Sequence, residues 1–189
     1  MIDFAPVWSQ TRKLSEIGAG LSVADLRALT VEMIDTMQHL IIECEDTDVV
    51  FVPSDPVASD TFAADSSVVD LPWTLGHVIV HATASSEESA FLAVELARGV
   101  EFHGRSRSEV AWETVTTIAQ VRQRLEESRR MRLASLEMWP DVPYTATREV
   151  DFLGDALDAR GQFLLGLAHD DGHLTQIGEI ARQAQAARA

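Results

Sequence analysis

The chain has 189 residues, of which 46% are hydrophobic and 6% aromatic, and 30 acidic against 15 basic residues give it a formal net charge of −15. A surface of that charge repels phosphate groups, so we expect neither nucleic acid nor an anionic membrane as a partner. The length fits one domain with a full core over residues 1–189, and the scarcity of aromatic and β-branched runs indicates a mainly helical protein.

The first long helix is predicted to start after Ser22, a suitable N-cap with Asp25 three residues later, and to run to about Glu45. His39 falls on its apolar side, so we expect a hydrogen-bonded histidine in the core. Residues 53–70 carry proline, serine and aspartate without a helical period, which predicts a long surface loop. Loops of that length often cover a site.

Apolar residues at helical spacing predict three further long helices, over residues 71–99, 108–139 and 154 to the C-terminal tail. Pro72 is placed near the first turn of the second helix, and Ser108 is a candidate N-cap of the third. Residues 139–151 contain two prolines and are predicted to be extended, with room for a short strand. Together these segments predict an all-α, up-down-type four-helix bundle with crossover connections.

Two histidine pairs carry most of the functional information. His77 with His81, and His169 with His173, are each spaced i,i+4 within a predicted helix. That spacing puts both members of a pair on one helix face. If the two helices lie side by side, up to four imidazoles can converge, and imidazole suits a divalent transition metal. The pattern therefore predicts a metal site.

Two better-known types of metal site do not fit this pattern. The Glu-x-x-His motif of carboxylate-bridged di-iron bundles does not occur in the chain. In the HExxH metalloproteases a glutamate follows the first histidine, whereas here the corresponding residues are Val78 and Asp170. Neither a di-iron oxygenase nor a zinc protease is expected.

The two histidine pairs lie within longer motifs. Residues 73–81 read Trp-Thr-x-Gly-His-Val-x-x-His, and residues 169–177 read His-x-x-x-His-x-x-Gln-Ile. The first run resembles the opening of the second helix in the DinB/YfiT-like superfamily, particularly its mycothiol-dependent maleylpyruvate isomerase branch. The second run resembles the signature of the fourth helix in the same superfamily. The order and separation of the two motifs match across nearly the whole chain.

This resemblance implies a DinB-like four-helix bundle that holds one divalent metal ion, usually zinc or nickel. Carried onto this chain, the ligands are His81, His169 and His173, and the remaining position takes water or a substrate thiolate. Thiol-dependent members of the family activate mycothiol or bacillithiol in this way. The maleylpyruvate isomerases typically have glutamate at the position of His169, so the isomerase activity is not carried over, and the three-histidine set is instead like that of the transferase branches.

Three further residues are candidates for a role beside the ligands. His77 is expected to pack or hydrogen-bond next to the site, with a fourth-ligand role as the alternative. Gln176, one turn beyond His173, either orients a ligand, contacts a substrate, or is a plain polar helix residue. Asp170 could accept the second N–H of an imidazole, although a solvated acidic face shared with Asp171 is the commoner arrangement.

The leading hypothesis is a metal-dependent thiol S-transferase acting on small electrophiles, with mycothiol or bacillithiol as cosubstrate. One alternative is a metal-dependent hydrolase that activates water, with His77 or Asp170 as the general base. Another is a non-catalytic metal-binding module of a stress response, which gains support if His77 closes the site.

Several features predict a cytoplasmic protein. No apolar run approaches the ~20 residues that span a bilayer, and residues 1–10 show no signal peptide. The single cysteine, Cys44, cannot form an internal disulfide and lies in an apolar run, so we expect it to be reduced and buried. A homodimer is a further expectation, because bundles of this family often pair.

Overall fold

The computed structural model describes residues 2–59, 69–104 and 111–188. Its helices are α1 (Ala5–Trp8), α2 (Leu14–Gly18), α3 (Val23–Leu40), α4 (Asp46–Val49), α5 (Leu75–Ala97), α6 (Ile118–Glu137) and α7 (Ala159–Arg188). Two short strands, β1 (Arg148–Val150) and β2 (Asp155–Leu157), form an antiparallel hairpin. The prediction of an all-α class is confirmed.

The four long helices pack as a closed ring. The largest interface joins α5 to α7, α5 also packs on α6, and α3 contacts both α6 and α7. Buried aliphatic side chains from all four helices fill the centre of the ring. The predicted four-helix bundle is therefore present, with neighbours in the order α3, α6, α5, α7.

Side-chain contacts give the directions of α5 and α7. His81 of α5 lies beside His169 of α7. Ser86, further along α5, donates to the carbonyl of Gly166, which precedes His169. The two helices are therefore antiparallel.

The next pair, α5 and α6, runs in a common direction. Glu87 pairs with Arg124 near the middle of both helices. Near their ends, Arg98 donates to the carbonyl of Met138. Two consecutive parallel helices need a connection that returns along the bundle, and this is the crossover that the sequence predicted.

Polar N-caps start the long helices. The hydroxyl of Ser22 accepts from the amide of Asp25, as predicted, and the carboxylate of Asp25 accepts from the amide of Ser22. Thr74 caps α5 by accepting from the amide of His77 at 3.3 Å. Because Thr74 is the cap, Pro72 lies before α5 and not within its first turn, which corrects the predicted start.

The other helix boundaries also differ from the prediction. The first helix ends at Leu40 and not near Glu45. The third begins after the cap Thr117, and Ser108 lies outside the described residues. The fourth begins at Ala159 because the residues before it pair with β1 as a second strand, whereas only one strand was expected.

Two single-residue expectations have opposite outcomes. Cys44 is 4% exposed, so its predicted burial is confirmed. His39 is exposed and lines an open groove between α3 and α6, so its placement in the core was wrong. The reason is that the buried stripe of α3 passes through Met33, Ile34 and Met37, which leaves His39 on the outer face.

None of the helices in the described part of the chain combines the length and apolar content needed to cross a bilayer.

Candidate metal centre

The structure brings three of the predicted site residues to one point. His81 comes from α5, and His169 and His173 lie one turn apart on α7. Each of them offers one ring nitrogen, and the three nitrogens lie within 4.8 Å of one another. The Nε2 atoms of His81 and His169 are 3.1 Å apart. All three side chains are half-buried.

The donor set and its spacing fit a divalent transition metal. Two nitrogens that bind the same tetrahedral zinc ion at 2.0–2.1 Å are themselves about 3.3 Å apart. The 3.1 Å between His81 and His169 is close to that value. Three neutral imidazoles suit zinc, nickel, iron or copper. Among the described residues, no other group of histidine, cysteine or acidic side chains meets this spacing.

A glycine allows α5 and α7 to approach closely enough for this. A Cβ atom on Gly166 would lie 3.0 Å from the Cα of Ser86 and 3.0 Å from the Cβ of Ser89. Both distances are shorter than ordinary van der Waals contacts. Neither atom can easily move aside, because one belongs to the backbone of α5 and the other is the first atom of a side chain on α5. Glycine at position 166 therefore permits the short distance between the helices that carry the histidines.

Gln176 fixes the ring of His173. Its Oε1 atom accepts from Nδ1–H of His173 at 2.9 Å. With the proton held on Nδ1, the lone pair of the His173 ring is on Nε2, the nitrogen that can bind a metal. The structure thus places Gln176 as an orienting partner of a ligand candidate.

Aromatic rings form one wall of the site. The ring centroid of Trp73 lies 4.6 Å from that of His81 and 5.9 Å from that of His173. Trp73 also stacks on His77, whose other face stacks on Trp112, with centroid distances of 4.4 Å to each indole. His77 therefore belongs to an aromatic stack beside the site and lies outside the group of three.

A cavity of about 190 Å³ opens next to His173. Part of its wall is the start of the predicted long loop, whose residues 60–68 lie outside the described residues. Ser54 attaches that loop to α7 through paired hydrogen bonds with Gln183. The described lining residues are Asp55, Val57, Ala58, Ser59, Leu71, Trp73, His173 and Gln176.

A family model described as the DinB superfamily matches residues 25–177, well over half of the chain. This chain belongs to the DinB superfamily. The match covers α3, α5, α6 and the part of α7 that carries His169, His173 and Gln176, so the family that the sequence motifs suggested is confirmed. No curated protein and no solved structure matches the chain significantly.

In this DinB superfamily protein Asp170 is not part of a solvated face, and that expectation was wrong. The residue is 0% exposed, and its carboxylate accepts from the hydroxyl of Ser86 at 2.6 Å and from Arg132 at 2.5 Å. Burial raises the pKa of Asp170, and the guanidinium of Arg132 opposes that rise. Asp171 is half-buried, and burial raises its pKa as well.

Some site residues of this DinB superfamily protein had no signal in the sequence. In the chain, dozens of residues separate Arg132 and Trp112 from the three clustered histidines. Ser86 is closer, just over one helical turn beyond His81, but no motif connects the two. Arg132 is one of five arginines in α6, and nothing in the local sequence marks it as buried. Only the packing of α6 against α3 and α5, which turns Arg132 toward Asp170 of α7, reveals it.

Proposed function

We propose that this protein is a divalent-metal-dependent thiol S-transferase, which binds zinc or nickel through His81, His169 and His173. Mycothiol or bacillithiol is the proposed thiol, and a small electrophile is the second substrate. The observation that carries the proposal is the convergence of three ring nitrogens within 4.8 Å beside an open cavity. Three protein ligands with access from a cavity form the usual arrangement of a catalytic metal site.

The residues of the chain have separate tasks in this proposal. Gln176 holds the proton of His173 on Nδ1 and so keeps Nε2 available. Trp73 shields one side of the histidines from water. A divalent cation at this site would lower the pKa of a coordinating thiol and supply a thiolate nucleophile at neutral pH.

The reaction is a substitution at carbon. The sulfur forms a bond to the electrophilic carbon, the leaving group departs with its bonding electron pair, and the thiol proton passes to solvent. No oxidant or reductant is needed. No separate general base is needed either, which matters for the comparison with hydrolysis.

The positions of His77 and Asp170 favour thiol transfer over hydrolysis. These were the two candidates for a general base in a hydrolase. His77 is stacked between two indoles, and Asp170 is held by Ser86 and Arg132 inside the bundle. Neither residue is among those that line the cavity beside His173.

One residue supports hydrolysis as the second candidate function. Asp55 lines the same cavity as His173, and carboxylates can act as general bases toward water. Its Oδ1 atom accepts from the amide of Val57 at 3.2 Å. Replacement of Asp55 by asparagine separates the two functions, because thiol transfer does not require this base.

The first test is the metal content of the purified protein, measured by plasma mass spectrometry for the wild type and for His169→Ala. We expect about one equivalent of zinc or nickel in the wild type and a loss of most of it in the variant, because two imidazoles bind such ions far more weakly than three. His39→Ala is the matched control, since His39 is exposed in the groove between α3 and α6 and is not one of the three clustered histidines. Metal-free wild type, even after incubation with zinc and nickel, would refute the proposal.

The second test concerns the reaction. Loaded protein is mixed with mycothiol or bacillithiol and 1-chloro-2,4-dinitrobenzene, from which a thiolate displaces chloride. We expect product formation that depends on the metal and is retained in Asp55→Asn. Ester hydrolysis that is lost in Asp55→Asn, without any thiol transfer, would favour the hydrolase.

A further inference from the structure

Asp170 lies between two ligand candidates in the chain but is turned away from them. His169 and His173 contribute to the group of three, whereas the carboxylate of Asp170 lies in the interior of the bundle. One oxygen accepts from Ser86 of α5 and the other from Arg132 of α6. These three residues, the Asp170 cluster, therefore join three helices at a point adjacent to His169.

Arg132 depends on this contact. The side chain is 1% exposed, and its Nε and Nη2 atoms have no hydrogen-bond partner among the described residues. Asp170 supplies the one opposite charge that the described structure pairs with it. A buried charge without its partner is strongly unfavourable, so α6 and α7 are held in a single register by this pair.

The α5 side of the cluster is equally close to the histidines. Ser86 lies just over one turn beyond His81, and its hydroxyl contacts both Asp170 and the carbonyl of Gly166. These bonds set the rotation of α7 about its axis and its position along α5. The 3.1 Å distance between His81 and His169 depends on both.

We propose that Asp170 is a positioning residue of the metal centre: through Ser86 and Arg132 it fixes α7 against α5 so that His169 and His81 present their Nε2 atoms to one point. The inference rests on the metal site of the proposed function. It differs from both interpretations that the sequence offered for Asp170, a solvated acidic face and a direct contact with an imidazole. Here Asp170 acts through the helix that carries the ligands.

The chain contains a matched control for this idea. Glu87 and Arg124 form a second buried ion pair, with N and O atoms 2.6 Å apart. That pair joins α5 to α6 and does not include α7. Breaking it also leaves a buried charge without its partner, but the Asp170 cluster stays intact.

The test compares Asp170→Asn with Glu87→Gln. For each variant, the unfolding midpoint in urea and the zinc affinity, from competition with a chromogenic chelator, are measured. We expect both variants to unfold at lower urea concentration, but only Asp170→Asn to bind zinc about tenfold or more weakly, as is typical when a partner of the ligand shell is lost. Equal zinc affinities in the two variants would overturn the proposal.

A milder variant covers the case in which Asp170→Asn does not fold. Ser86→Ala keeps the ion pair of Asp170 with Arg132 and removes only the link to α5. We expect zinc affinity to fall severalfold, and the urea midpoint to fall by less than it does in Asp170→Asn, because the ion pair is kept. An unchanged zinc affinity in Ser86→Ala would contradict the positioning role.

A crystallographic comparison without metal separates this inference from the proposed function. If the wild type binds no metal, the proposed function fails, but the position of His169 can still be measured. We expect the Nε2 atoms of His81 and His169 to move beyond hydrogen-bond distance in metal-free Asp170→Asn. A distance that stays near the 3.1 Å of the wild type would show that Asp170 does not position the ligand.

Discussion

Gln176 holds the ring of His173 through one hydrogen bond, which bears on the proposed metal site. Its Oε1 atom accepts the Nδ1 proton of His173. We predict that Gln176→Ala lowers zinc affinity about tenfold, because the ring of His173 loses its fixed orientation. Gln176→Glu is the control, since glutamate retains an acceptor at the same place. The Gln176→Glu variant should bind zinc at least as tightly as the Gln176→Ala variant does. An unchanged affinity in Gln176→Ala would show that packing alone orients the ring.

Cys44 is predicted to react slowly with alkylating agents. Burial raises the pKa of its thiol, so little thiolate is present at pH 8, and the residue is only 4% exposed. The rate of iodoacetamide labelling, followed by mass spectrometry, should be much lower in the folded protein than in urea. Because Cys44 is the single cysteine, the unfolded chain is its own control. Equal rates in both states would mean that the surrounding core opens readily.

At the residue scale, the sequence predicted which histidines would meet but not what surrounds them. The i,i+4 spacing of His169 and His173 is a local property of a helix and can be read directly. The burial of Asp170 depends on Arg132, which is 38 positions away on another helix. No local pattern reveals such a partner, and the acidic run around Asp170 therefore resembled a solvated face.

Among the elements, α5 contains the least tolerant glycine. A Cβ atom on Gly76 would lie 2.6 Å from the carbonyl oxygen of Val115, a backbone atom that cannot move aside. We predict that Gly76→Ala lowers the free energy of unfolding by about 1–3 kcal/mol, the usual range for overpacking. Urea denaturation followed by circular dichroism measures this.

The control for that variant is a glycine in α7. A Cβ atom on Gly172 meets nothing within 4 Å, and alanine is favoured over glycine in a helix by about 0.5–1 kcal/mol. Gly172→Ala should therefore leave stability unchanged or raise it slightly. A similar loss in both variants would show that the contact with Val115 is not what destabilises Gly76→Ala.

The start of α3 was predicted correctly, whereas the other three long helices begin several residues later than predicted. The box of Ser22 and Asp25 is a short motif with a direct physical meaning, and α3 begins there. The end of α3, the hairpin before α7 and the short helices α1, α2 and α4 depend on contacts with distant elements. One example is the β2 residue Asp155, which accepts from the backbone and hydroxyl of Ser15 in α2. Local propensity carries no record of such contacts.

For the whole molecule, metal binding should appear as added stability. A ligand that binds only the folded state stabilises it by about 2.7 kcal/mol at a concentration 100 times its Kd. We predict that zinc raises the unfolding temperature of the wild type and that a chelator reverses this. His169→Ala should show neither effect. A shift of equal size in the variant would place the responsible zinc elsewhere on this acidic surface.

The four-helix bundle and the family could both be predicted from the sequence. The order in which the four helices contact one another could not. Helical spacing shows which face of α6 is apolar but not that α6 packs between α3 and α5. Direct contacts between helices decide that order and bring α5 beside α7. The single domain and the homodimer stay predictions, for which the molecular mass in solution is the direct measurement.

Because the ring of Trp73 lies against the histidines, the fluorescence of this tryptophan should change when the proposed metal site is filled. Indole fluorescence is quenched by a nearby protonated imidazole and by open-shell ions such as nickel(II), and the ring of Trp73 contacts both His81 and His173. Of the four tryptophans in the chain, this one should therefore dim as the site fills with nickel. The Trp73→Phe variant retains the other three tryptophans, so the difference between its emission and that of the wild type would isolate the signal of Trp73. Metal occupancy of the site could then be followed in real time without any added dye.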